Sequence, residues 1–132
     1  MTNEDPFQAF EGQKYLNLET FRKSGEGVRT PVWFAAGSPE RGAVRALYVY
    51  STGDSGKVKR IRNNPRVRVA PCDMRGNLRG EWVDARAEIL SGEEAEKGMR
   101  LLDRKYMPWK QILGFFAMFR PRERAVFAIR PE

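Results

Sequence analysis

The run Tyr50-Ser51-Thr52, followed by Ser55-Gly56-Lys57 and then Arg60, has the residue types and order of a phosphate cradle. Hydroxyls at the end of a β-forming stretch, a glycine break, and two basic side chains about one helical turn apart would surround an anion with donors. The helix that begins after the break adds unpaired N–H groups and a partial positive charge at its N-terminus. The same pattern also fits a capped surface helix with solvated basic residues. A second stretch, Arg29-Thr30-Pro31-Val32-Trp33, sets a proline inside a strand-like run. Proline cannot donate to a ladder, so Pro31 belongs at an edge or a bulge, where the backbone can hydrogen-bond a flat ring. Trp33 either stacks on that ring or fills the core.

Two further groups carry weaker chemistry. Lys57, Lys59, Arg60, Arg62, Arg66 and Arg68 form a basic run. Nucleic acid is the rival partner for such a cluster, but the aromatic residues that would serve as stacking platforms are not interleaved with it. From Tyr106 to Phe119, Ile112, Phe115, Phe116 and Phe119 form an apolar stripe at helical spacing. A dimer contact or pocket wall fits that stripe better than a membrane surface, because fewer basic residues flank it than interfacial helices usually carry.

These residues need a scaffold, and the hydrophobic pattern supplies one. Alternation predicts strands over Lys14–Phe21, Val28–Ala36, Ala46–Thr52, Arg66–Cys72, Glu81–Leu90 and Arg124–Ile129. The first of these reads as half-buried, with Leu16, Leu18 and Thr20 inward. A short helix is expected over Lys57–Asn63, stopping before Pro65. A longer one runs from Gly92 to about Tyr106 behind Ser91, with Glu94 placed as in a capping box. A further short helix is expected over Trp109–Phe119. Consecutive strands with short turns and few helical interruptions predict a mainly β (α+β) fold: a six-stranded antiparallel barrel with flanking helices. Residues 1–132 are expected to form a single domain.

Composition narrows the chemistry. The 24 Lys and Arg residues against 17 Asp and Glu give a net charge of +7, which favours an anionic partner. There is no histidine, so His-dependent nucleophile systems and His-ligated zinc are excluded. Cofactor-driven redox chemistry survives that loss, because the cofactor carries the reactive atoms. The acidic residues show no catalytic pairing, no catalytic side chain is assigned, and no metal site is expected. The one cysteine, Cys72, reads as an inert buried thiol in a reducing compartment. No apolar run is long enough to span a membrane, so the expected location is cytoplasmic.

The ordered set Lys14–Lys23, Thr30-Pro31-Val32-Trp33-Phe34, Leu47–Thr52, Ser55–Val67 and Gly80-Glu81-Trp82-Val83 resembles the pyridoxamine 5′-phosphate oxidase-like superfamily. Within it, the chain is most similar to the small deazaflavin (F420)-dependent oxidoreductases. The resemblance implies a split β-barrel homodimer of the FMN-binding type with cofactor at the subunit interface. It implies Thr30, Pro31 and Val32 along the ring system, and Ser51, Thr52, Lys57 and Arg60 on the phosphate. Trp33 and Tyr50 complete the expected cofactor-binding set, with Trp82 contributed by the other subunit. The implied activity is hydride transfer from reduced F420 to a small unsaturated substrate. The alternatives are FMN as cofactor, in a flavin oxidoreductase or a non-catalytic carrier, and a nucleic-acid-binding barrel.

Overall fold

The computed structural model describes residues 6–37, 45–52, 56–106 and 124–132. The helix expected over Trp109–Phe119, with its aromatic stripe, lies outside them, as does Ser55. The strands are β1 (Tyr15–Phe21), β2 (Gly27–Trp33), β3 (Ala35–Ala36), β4 (Leu47–Thr52), β5 (Arg66–Cys72), β6 (Val83–Ile89) and β7 (Arg124–Pro131). Two helices interrupt them, α1 (Gly56–Asn63) and α2 (Gly92–Tyr106). All strand pairs are antiparallel, in one sheet of order β2-β1-β5-β6-β7-β4-β3.

That order makes β2 and β3 the two edges, yet only Phe34 separates them in sequence. Two residue steps reach at most about 7 Å. The edges are therefore held together covalently, and the sheet has to curl. The run Val28–Ala36, expected as one strand, is divided at Phe34 because its first part pairs with β1 and its last part with β4. The result is the split barrel that the pattern predicts, with one strand more than the expected six. Phe34 is fully buried, its ring edge-on to Phe10 at 5.8 Å between centroids.

Strand alternation sorts the side chains into two layers. Leu16, Leu18, Leu47, Val49, Phe127 and Ile129 point inward and belong to the main core. The opposite face of β3, β4 and β7 carries Ala35, Tyr48, Val126 and Ala128, which are covered by Leu102, Met99 and Ala95 of α2. Gly98 lets α2 approach closely: a Cβ there would meet Val126 Cγ1 at 2.9 Å and Tyr48 Cδ1 at 3.0 Å. At the far end of α2, Lys105 Nζ donates to the carbonyls of Gln13 (2.6 Å) and Phe34 (2.8 Å) and lies 3.8 Å from the centre of the Phe34 ring. Burial pushes this lysine down to about 8, while the two carbonyls and the ring favour its charged form.

The half-buried reading of β1 needs correction. Its outward residues Asn17 and Glu19 are buried as well. Asn17 lies under the β5–β6 connection, where its amide donates to the Gly76 carbonyl at 3.1 Å. That connection is shaped by Asp73, whose carboxylate accepts from the backbone of Arg75 and Asn77 and from the Asn77 side chain. Those bonds hold the Asp73 carboxyl below its usual range. Glu19 is covered for an electrostatic reason. The register aligns Arg29, Glu19, Arg68 and Asp84 in one row across β2, β1, β5 and β6. Glu19 accepts from Arg29 Nε at 3.1 Å and from Arg68 at 3.2 Å, so its charge alternates with its neighbours'.

Two outcomes test this packing. Gly98→Val should lower stability by about 1–3 kcal/mol through overpacking, read as a lower urea midpoint with an unchanged slope. An unaltered midpoint would mean that α2 does not sit this close to β4 and β7. Glu19→Ala should cost about 2 kcal/mol. That is less than for a fully buried pair, because Arg29 is 55% and Arg68 38% exposed.

Candidate functional site

Helix α1 seats Val58 and Ile61 in the barrel interior and packs against β1, β4 and β6. Its apolar side is thus spent on the core, and Lys57, Lys59, Arg60 and Arg62 are left at the mouth. The basic run is not one stripe. Lys59 and Arg62 face solvent. Arg66 pairs with Glu132 at 3.2 Å, and Arg68 with Glu19. Arg60 is turned inward, its Nε donating to Thr20 Oγ1 at 2.6 Å.

Lys57 and Arg60 differ from the other basic residues in charge balance. Among the described residues, neither has a carboxylate partner. Burial, and then the neighbouring Arg60 charge, push the Lys57 amine below its usual value. Burial and Arg22 act on Arg60 in the same direction. The Arg60 guanidinium also lies over the first residue of α1: a Cβ on Gly56 would meet one of its terminal nitrogens at 2.7 Å. A cation at a helix N-terminus has the wrong sign for the helix dipole. Two part-buried cations at such an end form a site whose electrostatics an anion would complete.

The remaining predicted residues divide by face. Ser51 follows Leu47 and Val49 in alternation and so shares the face on which α1 sits. Tyr50 lies on the other face and, like Trp33, packs against the layer under α2. Thr52 ends β4, opposite Arg124 in register. In β2, Thr30 and Val32 stand opposite Leu18 and Leu16 on the inner face, and Val32 packs on the core. Pro31 is exposed and stands opposite Asn17 on an edge strand, where its missing N–H costs no ladder bond to a further strand. Trp33 stacks obliquely on Tyr15, with ring centres 6.5 Å apart.

Trp82 precedes β6 rather than lying in it. The Arg29 and Arg68 guanidiniums sit 4.8 Å and 5.0 Å from its ring centre, so the indole is fixed on the outer face of the sheet. Within one chain it is therefore on the opposite side of β1 from Thr20 and Arg60. A groove of about 440 Å³ runs between α2 and β7, and one of about 220 Å³ lies beside Phe21, Arg66 and Arg68. Neither is lined by Lys57 or Arg60.

Sequence reasoning did not mark Thr20 or Glu19 as members of any constellation. Arg60, the partner of Thr20, lies 40 positions away and Arg68, one of the two partners of Glu19, lies 49 away, and no local spacing connects them. Cys72 is buried, and burial with the adjacent Asp73 pushes its thiol up to about 11, which keeps it protonated and unreactive. Among the described residues, no group of His, Cys, Asp or Glu could hold a metal ion. No helix among them is long and apolar enough to cross a membrane.

Solved structures share this architecture at low sequence identity. A proposed 5-nitroimidazole antibiotic resistance protein from Bacteroides thetaiotaomicron is 12% identical, with a TM-score of 0.69 over 99% of this chain and 80% of that one. A haem storage protein from Vibrio cholerae is 15% identical, with a TM-score of 0.64 over 100% of this chain and 92% of the other. An F420 reductase is 22% identical, with a TM-score of 0.60 over 99% and 96% of the two chains. No curated protein sequence matches the chain. The model of the pyridoxamine 5′-phosphate oxidase family matches residues 4–132, nearly the whole sequence. With its curled antiparallel sheet and helix-capped mouth, the chain belongs to the pyridoxamine 5′-phosphate oxidase family.

Proposed function

We propose that this chain is an F420-dependent reductase that acts as a homodimer and passes a hydride from reduced deazaflavin to a small unsaturated substrate. The observation that carries the reading is the pair Lys57 and Arg60 at the N-terminus of α1, part-buried and without a carboxylate partner among the described residues. A phosphate placed there would meet two charge-assisted donors and the unpaired N–H groups of the helix. Ser51 and Thr52, at the end of the neighbouring strand β4, would add hydroxyl donors. The net charge of +7 suits a cofactor whose polyglutamate tail is anionic, and the structural likeness to an F420 reductase agrees with it.

The ring would run along β2, where Thr30, Pro31 and Val32 form part of a sheet edge. Trp33 and Tyr50, each packed against the layer under α2, would hold that edge in place. Neither of the two grooves described above is lined by Lys57 or Arg60, and on this reading the ring side of the site faces a second chain. A second copy would close it and exclude water, and its outer-face Trp82 would be the aromatic group it contributes. The chemistry supplied by the bound cofactor is hydride donation; the protein's part is orientation and desolvation. With no histidine in the chain, the accompanying proton would come from solvent or from Tyr50.

The haem storage protein shows that the fold also occurs with another ligand. The usual axial histidine cannot be supplied here, because the chain has none. FMN remains the second reading, since Lys57 and Arg60 would accept its phosphate equally well.

Fluorescence titration with F420 and with FMN separates the two: saturable F420 binding is expected, and its absence would overturn the reading. Lys57→Ala should weaken affinity by about 1.5–3 kcal/mol, the range for a hydrogen bond to a charged group. Because burial and Arg60 push the uncomplexed Lys57 amine below the ordinary lysine value, affinity in the unaltered protein should fall as pH rises, before the ordinary lysine value is reached. Lys57→Ala should lack that fall. An unchanged dissociation constant in this variant would remove Lys57 from the site.

A further inference from the structure

We propose that Thr20 is a positioning residue: together with the bare backbone of Gly56 it fixes the Arg60 guanidinium across the N-terminus of α1, so that phosphate recognition depends on a β1 hydroxyl that itself touches no phosphate. The inference rests on the phosphate reading of Lys57 and Arg60 above.

Thr20 is fully buried at the third inward position of β1, after Leu16 and Leu18. Packing alone does not require its oxygen, since valine has the same shape and the same strand preference. What the oxygen does is accept from Arg60 Nε at 2.6 Å, at the short end for a bond to a charged donor. A guanidinium is a rigid planar fork. Once Nε is held by Thr20, the four N–H groups on the two terminal nitrogens are aimed as a unit. Their direction is known: one terminal nitrogen lies 2.7 Å from where a Cβ on Gly56 would stand. A larger residue at position 56 would push the fork away from the helix end.

Arginine has a long side chain rich in rotamers, and an unanchored one would lose most of that freedom on meeting an anion. With its Nε bonded before any ligand arrives, Arg60 has already lost part of that freedom. Preorganisation of this kind raises affinity without a new contact to the ligand. It also holds Arg60 against the unfavourable helix dipole and the neighbouring charges of Lys57 and Arg22, where an untethered side chain would swing out to water.

The test uses paired ligands that differ in phosphate: FMN against riboflavin, and F420 against its phosphate-free deazaflavin chromophore. Thr20→Val removes the oxygen and keeps the shape. For the pair that the protein binds, it should raise the dissociation constant of the phosphate-bearing member about tenfold, the loss of one hydrogen bond to a charged group. The phosphate-free member should change by less than about twofold. Thr20→Ser should restore the difference. Gly56→Ala, on the exposed first turn of α1, should reproduce the selective loss with Thr20 intact. Retained binding of the phosphate-free member shows that each variant is folded. Equal losses for both members would reduce Thr20 to a packing residue and overturn the proposal. So would an unchanged ratio in Thr20→Val and Gly56→Ala while Lys57→Ala still loses phosphate affinity. If Lys57→Ala leaves that affinity unchanged, the phosphate reading itself fails, and the positioning role with it.

Discussion

A single residue, Phe34, joins the two edges of a seven-stranded sheet, and the rest of the structure follows from that short tether. Two residue steps cannot bridge a flat sheet of seven strands spaced about 4.8 Å apart. The strands must roll until β2 and β3 meet at Phe34. Rolling turns one face into a closed interior, filled by leucine, valine, isoleucine and phenylalanine. It also creates a mouth, which α1 closes with Val58 and Ile61. The tether is itself reinforced. The Phe34 ring is buried against Phe10, and its carbonyl and ring face both receive Lys105 from the end of α2.

Two ways of handling positive charge coexist on this frame. On the outer face, guanidiniums and carboxylates alternate across four strands, and the buried Glu19 is tolerated because Arg29 and Arg68 flank it. Charges matched in this way specify register and contribute little to the long-range field. At the mouth, Lys57 and Arg60 stand without carboxylate partners among the described residues, next to a helix end that is already positive. That is a cost in the unliganded chain and an attraction for an anion. The contrast between the two regions, more than the total of +7, is what supports the proposed phosphate site at the mouth.

Much of this was legible in the sequence. Strand alternation located β1, β2, β4, β5, β6 and β7, and the glycine break before Lys57 located the start of α1. Pro31 announced an edge strand, and β2 is one. The division of Val28–Ala36 at Phe34 was not legible, because both halves alternate in the same way and only their pairing partners differ. The burial of Glu19 and Asn17 was hidden for a similar reason. Alternation assigns polar residues to the exposed face, and the cover here comes from Arg68 and the Gly76 turn, far along the chain. The motif Tyr50-Ser51-Thr52 reads as one patch in sequence, yet strand geometry sends Tyr50 and Ser51 to opposite faces.

The sequence by itself determined what short-range physics controls: which stretches extend, which coil, where proline forbids a ladder bond, which chemistry the missing histidine excludes, and the excess of positive charge. Only the tertiary structure decided which cations remain unmatched. An ion pair depends on distance in space, and distance in space depends on how strands separated by dozens of residues come into register. Arg68 and Arg60 are alike in sequence terms. One faces Glu19 across β1 and β5; the other reaches Thr20 from the first turns of α1 and lies over Gly56.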